Sequence, residues 1–193
     1  MVNLDNLEGV VLGSLCTFQA GVAFPDRFQG KSSGDMPFIK VSDMKSPRNR
    51  YQIREANNWV DVDEAKKMGA KPAPKGSIVF AKIGLGLLNN RFRITTEPTL
   101  IDNNMMAAIP NEKISSEELC CIFTTIDMGT WAIGAALPYL RQSDLEKIPL
   151  DHLSLDKIES VASIRGNIGL AMDNNSDMIS YSEQFSLSLF KSW

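Results

Sequence analysis

The chain has 193 residues, 44% of them hydrophobic and 22% charged, enough for one domain or one domain with an appendage. Its net charge of −3 by itself argues against a nucleic-acid binder, but residues 31–93 carry 13 Lys and Arg against 6 Asp and Glu, and the rest of the chain 7 against 17. Cys16, Cys120 and Cys121 fit neither a metal-ligand spacing nor a disulfide framework, the first residues lack a basic secretion start, and no apolar run spans a membrane. The expectation is a cytoplasmic protein, away from membranes, with a local anion-binding surface; the plainer alternative for the basic block is a solvated charged face.

In chain order, Val10 to Leu12 and Phe18 to Ala20 read as short strands around Gly13. Gly21 to Gly34 is a polar loop holding Pro25, Asp26, Arg27 and Lys31. Pro37 to Val41, which includes Lys40, is the next strand, and Ser42-Asp43 can satisfy backbone donors of the loop that follows. Lys45 to Arg50 is a basic loop, residues 55–70 have a helical pattern, and Pro72 and Pro74 stiffen the connector after it. Ser77 to Ala81 is a β-branched apolar run, predicted to be a buried strand. It ends in Lys82-Ile-Gly-Leu-Gly86, where glycine permits positive φ and close approach, and then come Asn89, Asn90, Arg91 and Arg93. A rigid strand delivering a bent loop of amides and guanidiniums suits a polyanion or a base edge. An ordinary hairpin with a polar tip is the alternative.

Arg91 to Thr95, Thr99 to Ile101 and Met105 to Ile109 read as strands, with a turn at Asp102 to Asn104. Ser115 and Glu118 form a capping box that opens a helix through Leu119, Ile122, Phe123 and Ile126. Met128 to Tyr139 is rich in Gly, Ala and aromatics; Ser143 and Glu146 repeat the capping-box spacing, and Ile148 to Leu150 is a last short strand. From Ser154 the pattern changes: Val161, Ile164, Ile168, Ala171, Met178, Phe185 and Leu189 fit one heptad register, with Asn175 and Ser182 at polar positions. Gly166 and Gly169 each cost about 1 kcal/mol relative to Ala, and Asn174-Asn175 is a candidate break. If continuous, the helix is about 57 Å long and pairs with another helix of this chain or of a partner; two helices folded on the core are the alternative.

Little here carries catalysis. No Asn/Asp-Pro-Pro-aromatic methyltransferase motif and no phosphate-binding P-loop occurs, and His152 has no nucleophile or metal-ligand context. Pro25-Asp26 with Glu64-Ala-Lys66 mimics a metal-dependent nuclease pattern, but in a loop and a helix instead of adjacent strands. Candidate DNA contacts are Arg48, Asn49 and Arg50 in the basic loop and Lys82, Asn89, Asn90, Arg91 and Arg93 around the glycines. Lys31, Lys40, Lys45 and Lys82 suit phosphates.

Several segments, in this order, resemble the repeat of a type I restriction-modification specificity subunit. They are Val11-Leu-Gly13 with Gly21, Met36-Pro-Phe-Ile-Lys-Val-Ser-Asp43, Lys75-Gly-Ser-Ile-Val-Phe-Ala-Lys-Ile-Gly84, Asn103 to Ala108, Asp144-Leu-Glu-Lys-Ile-Pro149 and Leu189-Phe-Lys-Ser-Trp193. The resemblance implies an α/β fold: a twisted mixed-sheet target-recognition domain over residues 1–150 and a long coiled-coil-type spacer helix over 151–193. It implies a non-catalytic chain that reads one half of a bipartite site in double-stranded DNA and docks adenine methyltransferase subunits, with a restriction subunit as a further partner. No cofactor is then expected here, S-adenosylmethionine belonging to the methyltransferase. Full-length members carry two repeats whose helices pair; this chain carries one, as half of a longer subunit or as a half-subunit that dimerises, and in the second case self-pairing through 154–193 would rebuild that geometry, packing Val161, Ile164, Ile168, Met178, Phe185 and Leu189. One departure stands out: Leu150 to Leu155 replaces the Glu-Gln pair that usually precedes the helix. The competing functions are a metal-dependent DNA endonuclease and a helix-mediated scaffold.

Overall fold

The computed structural model describes residues 7–151 and 153–191. His152 and the side chains of Ser182, Phe185 and Leu189 lie outside the described residues.

Two sheets form the body. The larger contains β1 (Cys16–Ala20), β3 (Gln52–Ile53), β5 (Ile78–Ala81), β6 (Arg93–Thr95) and β8 (Met105–Pro110), in the order β1-β8-β5-β6-β3. Its pairs are antiparallel except β3 with β6. The smaller has β2 (Met36–Ile39) between β4 (Trp59–Val60), antiparallel, and β7 (Leu100–Ile101), parallel. The mixed α/β fold expected from the sequence is thus observed.

β5 is central and buried on both faces, which is why it reads as an uninterrupted apolar run. Ile78, Val79 and Phe80 alternate between two cores. Ile78 and Phe80 join the core under α2 (Ser116–Thr125), where Phe80, Phe92 and Phe123 cluster with centroids 5.3–5.9 Å apart. Val79 points the other way, onto Ile39, Met44, Ile101 and Met105. A satellite core holds Phe38, Val60, Ala65 and Leu100, with Phe24 stacked on Phe38. All three cysteines are buried and free; burial, with Glu146 adding to it, pushes Cys16 up to about 12, and burial raises Cys120 to about 11, so both remain thiols.

Some elements differ from the sequence reading. Residues 55–70 are not one helix: only α1 (Val62–Lys67) is helical, because Asp61 and Glu64 form a capping box that starts it there. Leu12–Ser14 is a 3-10 turn, and only Val11 bridges Pro149, so the first strand begins at Cys16. Of the two capping boxes read from sequence, Ser115–Glu118 forms. Ser143–Glu146 does not, since α3 (Gln142–Leu145) starts from Arg141.

α4 (Leu155–Lys191) runs 37 residues without a break at Asn174-Asn175, about 55 Å at 1.5 Å per residue. One face, Ile158, Ala162, Gly166, Gly169 and Asp173, is buried against the body of the fold, α2 included. At 100° per residue the heptad stripe lies roughly opposite. Val161, Ile164, Ile168 and Met178 are 51%, 60%, 55% and 69% exposed. Among the described residues no helix is long and apolar enough to cross a membrane.

Candidate nucleic-acid interface

β2, β5 and β7 all end, and β8 begins, on one rim. The Asp102 N–H donates to the Ile39 carbonyl, and the Lys82 N–H to Asn104 at 2.8 Å. The glycine loop leaves this rim. Gly84 has φ +73 and donates its N–H to Pro138 at 2.7 Å, while Leu140 donates to the Lys82 carbonyl. A Cβ at Gly86 would stand 2.8 Å from Val41 Cγ1, so glycine lets the loop close onto the end of β2.

The two asparagines that follow are partnered within the protein. Asn90 ends a 3-10 turn over Leu87–Asn89 in the left-handed region, φ 46, where Asn is among the tolerated residues. Its Oδ1 accepts from Met128 N–H at 3.0 Å and its Nδ2 donates to Asp127 at 3.1 Å, which holds the Asp127 carboxyl below its ordinary value. The amide of Asn89 donates to Leu85 O at 2.9 Å.

The basic loop is organised from within. Asp43, only 2% exposed, accepts from the backbone N–H groups of Lys40 and Asn57 and from the Asn57 amide. Asn49 is completely buried: its Nδ2 donates to the carbonyls of Asp43 and Glu55, and its Oδ1 accepts from Arg54 and Glu55 N–H. No base edge can reach it, which corrects its assignment as a DNA contact. Arg93 turns inward as well, donating to the carbonyls of Asn49, Phe92 and Met44. Burial first, and then neighbouring Arg91, lower its pKa.

Lys31 sits away from the rim against α1, paired with Asp61 at 2.9 Å and Glu64 at 2.7 Å. The hydrogen bond to Glu64, followed by that to Asp61, raises the Lys31 pKa, and Lys31 in turn lowers Glu64. Lys40 donates to Gln29 and lies 5.2 Å from the Phe24 ring centroid. Arg48 bonds Asp177 of α4 at 2.8 Å and approaches Glu55 at 3.6 Å; Arg54, which the sequence reading did not single out, meets the same Asp177 at 2.8 Å. Lys45 and Arg50 are exposed, and Lys82 and Arg91 partly so. The structure therefore leaves Lys45, Arg50 and Asn89 exposed and Lys40, Lys82 and Arg91 half-buried, with Arg48 shared with the helix.

Beside the Arg48–Asp177 pair, Tyr51 fills a notch in α4. A Cβ at Gly169 would lie 2.4 Å from Tyr51 Cγ, whereas at Gly166 it would lie 3.6 Å from the hydroxyl. Burial, with smaller contributions led by Cys120, pushes the phenol up to about 12, and its oxygen has no hydrogen-bond partner among the described residues. Asp173 accepts weakly from Gln52 N–H at 3.4 Å while its Oδ1 is unpartnered, and burial raises its carboxyl despite nearby Arg54 and Arg93.

For the nuclease pattern, Asp26 opens a 3-10 turn and Glu64 is held by the α1 cap and Lys31, so the two do not share adjacent strands. Among the described residues no group of three or more His, Cys, Asp or Glu could hold a metal.

The site is thus a sheet rim bearing polar loops, on a body packed against a long helix. The chain belongs to the type I restriction modification DNA specificity domain family, whose profile matches residues 5–154. Among solved structures it resembles one described under the structural basis of complex assembly and conformational transition of the type I R-M system, with TM-score 0.60, 13% identity, and coverage of 93% of this chain and 42% of that one. It also resembles the type I restriction-modification S subunit of M. genitalium, with TM-score 0.60, 10% identity, and coverage of 90% and 42%. The chain thus spans about two-fifths of the length of these structures. No curated protein shows significant sequence similarity to it.

Proposed function

We propose that the chain is the non-catalytic specificity component of a type I restriction-modification enzyme, reading one half of a bipartite DNA site. The observation that carries this is the rim of Lys40, Lys45, Arg50, Lys82 and Arg91, set on strand ends of a domain in the specificity family. Phosphate contacts from the lysines would fix register, and arginine would supply bidentate contacts to base edges. The chain docks adenine methyltransferase subunits that carry S-adenosylmethionine, and a restriction subunit joins the same assembly. Two copies pair through the exposed stripe of α4, a self-complementary arrangement that puts two recognition domains on one duplex.

The test is a methylation map: express the chain with its methyltransferase subunit in a methylation-free host and locate modified adenines by single-molecule sequencing. A palindromic bipartite motif supports self-pairing, and an asymmetric one means that a different recognition domain completes the site. A stable complex that modifies no motif would refute DNA reading in favour of a helix-mediated scaffold. Arg50→Ala and Arg91→Ala are expected to weaken target binding by about 1–3 kcal/mol each if they reach bases. Lys40→Ala and Lys82→Ala should weaken all duplexes alike and flatten the salt dependence by about one charge each, as read by titration at several salt concentrations.

A further inference from the structure

The glycine loop does not end in polar groups alone. Leu85 is 78% exposed and Leu88 47%, and the neighbouring segment adds Leu137 at 61% and Tyr139 at 39%. These side chains sit on two interlocked tips. Ile133 and Tyr139 exchange both backbone hydrogen bonds at 2.9 Å, Ile83 bridges Tyr139, and Gly84 and Lys82 bond Pro138 and Leu140. Leu137 Cδ1 would lie 3.6 Å from a Cβ at Gly84, and Leu88 Cδ2 3.4 Å from one at Gly129, so the tips share one surface. Exposed apolar clusters rimmed by polar residues mark interaction sites.

The charge around it selects the ligand. Residues 82–96 and 128–143 contain Lys82, Arg91, Arg93 and Arg141 and no Asp or Glu, and the carboxylate of neighbouring Asp127 is taken up by the Asn90 amide and the Gly129 N–H. Arg141 pairs with Asp144 and Arg93 is turned inward, which leaves Lys82 and Arg91 for an external anion. An apolar tip flanked by cations, on the same rim as Lys40, fits duplex DNA. In its major groove the apolar group on a base edge is the C5-methyl of thymine. We propose that Leu85 and Leu137 contact thymine methyls in the half-site and so determine part of the specificity. This rests on the DNA-reading function proposed above and deepens it.

The experiment uses the complete complex with its methyltransferase, on the target found by methylation mapping and on the same duplex with half-site thymines replaced by deoxyuridine, which removes only the methyl. Wild type is expected to lose about fourfold in affinity per contacted methyl. The Leu85→Ala/Leu137→Ala variant should bind the thymine target weakly and not distinguish the two duplexes. Both side chains are exposed, so its unfolding midpoint should match wild type. The assignment is overturned by equal binding of wild type to both duplexes, by a half-site without thymine, or by a variant that still discriminates. A variant with normal DNA affinity but impaired methyltransferase assembly also overturns it, making the tips a protein-docking surface. If wild type selects no site at all, the DNA-reading function itself fails, which separates that failure from the others.

Discussion

Gly169 and Gly166 occupy one helix face and differ in what an added methyl would meet. Alanine is favoured over glycine in a helix interior by about 1 kcal/mol. At Gly166 the space is free to 3.6 Å, so Gly166→Ala is expected to stabilise by up to about 1 kcal/mol. At Gly169 the methyl would enter the Tyr51 ring, and Gly169→Ala is expected to destabilise by about 1–3 kcal/mol in urea unfolding. In the sequence both glycines registered only as a cost, because the partner that explains them is more than a hundred residues away. Asp173 supplies a pH test. Its folded pKa is raised, so the ionised form weakens the fold at neutral pH, and stability recovers as pH falls through the folded value toward about 3.9. Asp173→Asn should therefore be the more stable form at pH 7, with a gap that narrows toward pH 4 in thermal unfolding.

Which elements leave a mark in the sequence depends on their length and on how far away their partners lie. Ser115 and Glu118 were legible because a capping box is local: both partners lie within four residues. β3 and β4 are two residues each, too short to show a period, so the helical charge pattern after them spread over the whole of 55–70. The basic block was visible as composition, but the sequence could not sort its members. Arg50 and Asn49 are adjacent; one is exposed and the other is the buried hub of residues 43–55, a difference set by carbonyls that the fold brings to Asn49. Asn49→Ala strips four hydrogen bonds and is expected to cost about 1–3 kcal/mol, with faster amide exchange at Arg54 and Glu55. The Arg48 and Arg54 pairs with Asp177 are partly exposed, so Asp177→Ala is expected to cost only about 1 kcal/mol in total. Hydrogen exchange in residues 48–54 would register it more clearly than global unfolding.

At the scale of the molecule, α4 has two faces with opposite fates. The outward stripe was legible because its heptad spacing is a sequence period, and its length supported pairing. The inward face was not, since it is built from Ile158, Ala162, two glycines and an aspartate, which carry no amphipathic signal. Because the stripe is exposed in one copy, Ile164→Glu/Ile168→Glu should leave the unfolding free energy of the unpaired chain within about 0.5 kcal/mol of wild type. The same variant should abolish self-association in sedimentation if the stripe is the pairing surface. The inward face also bears on how recognition domains can be exchanged. The family match ends at residue 154, inviting a graft there. Yet Tyr51 needs the glycine at 169, and Arg48 and Arg54 need the carboxylate at 177. A hybrid joined at 154 would set Tyr51 against a foreign helix without its notch, whereas a seam beyond 178 transfers lock and key together.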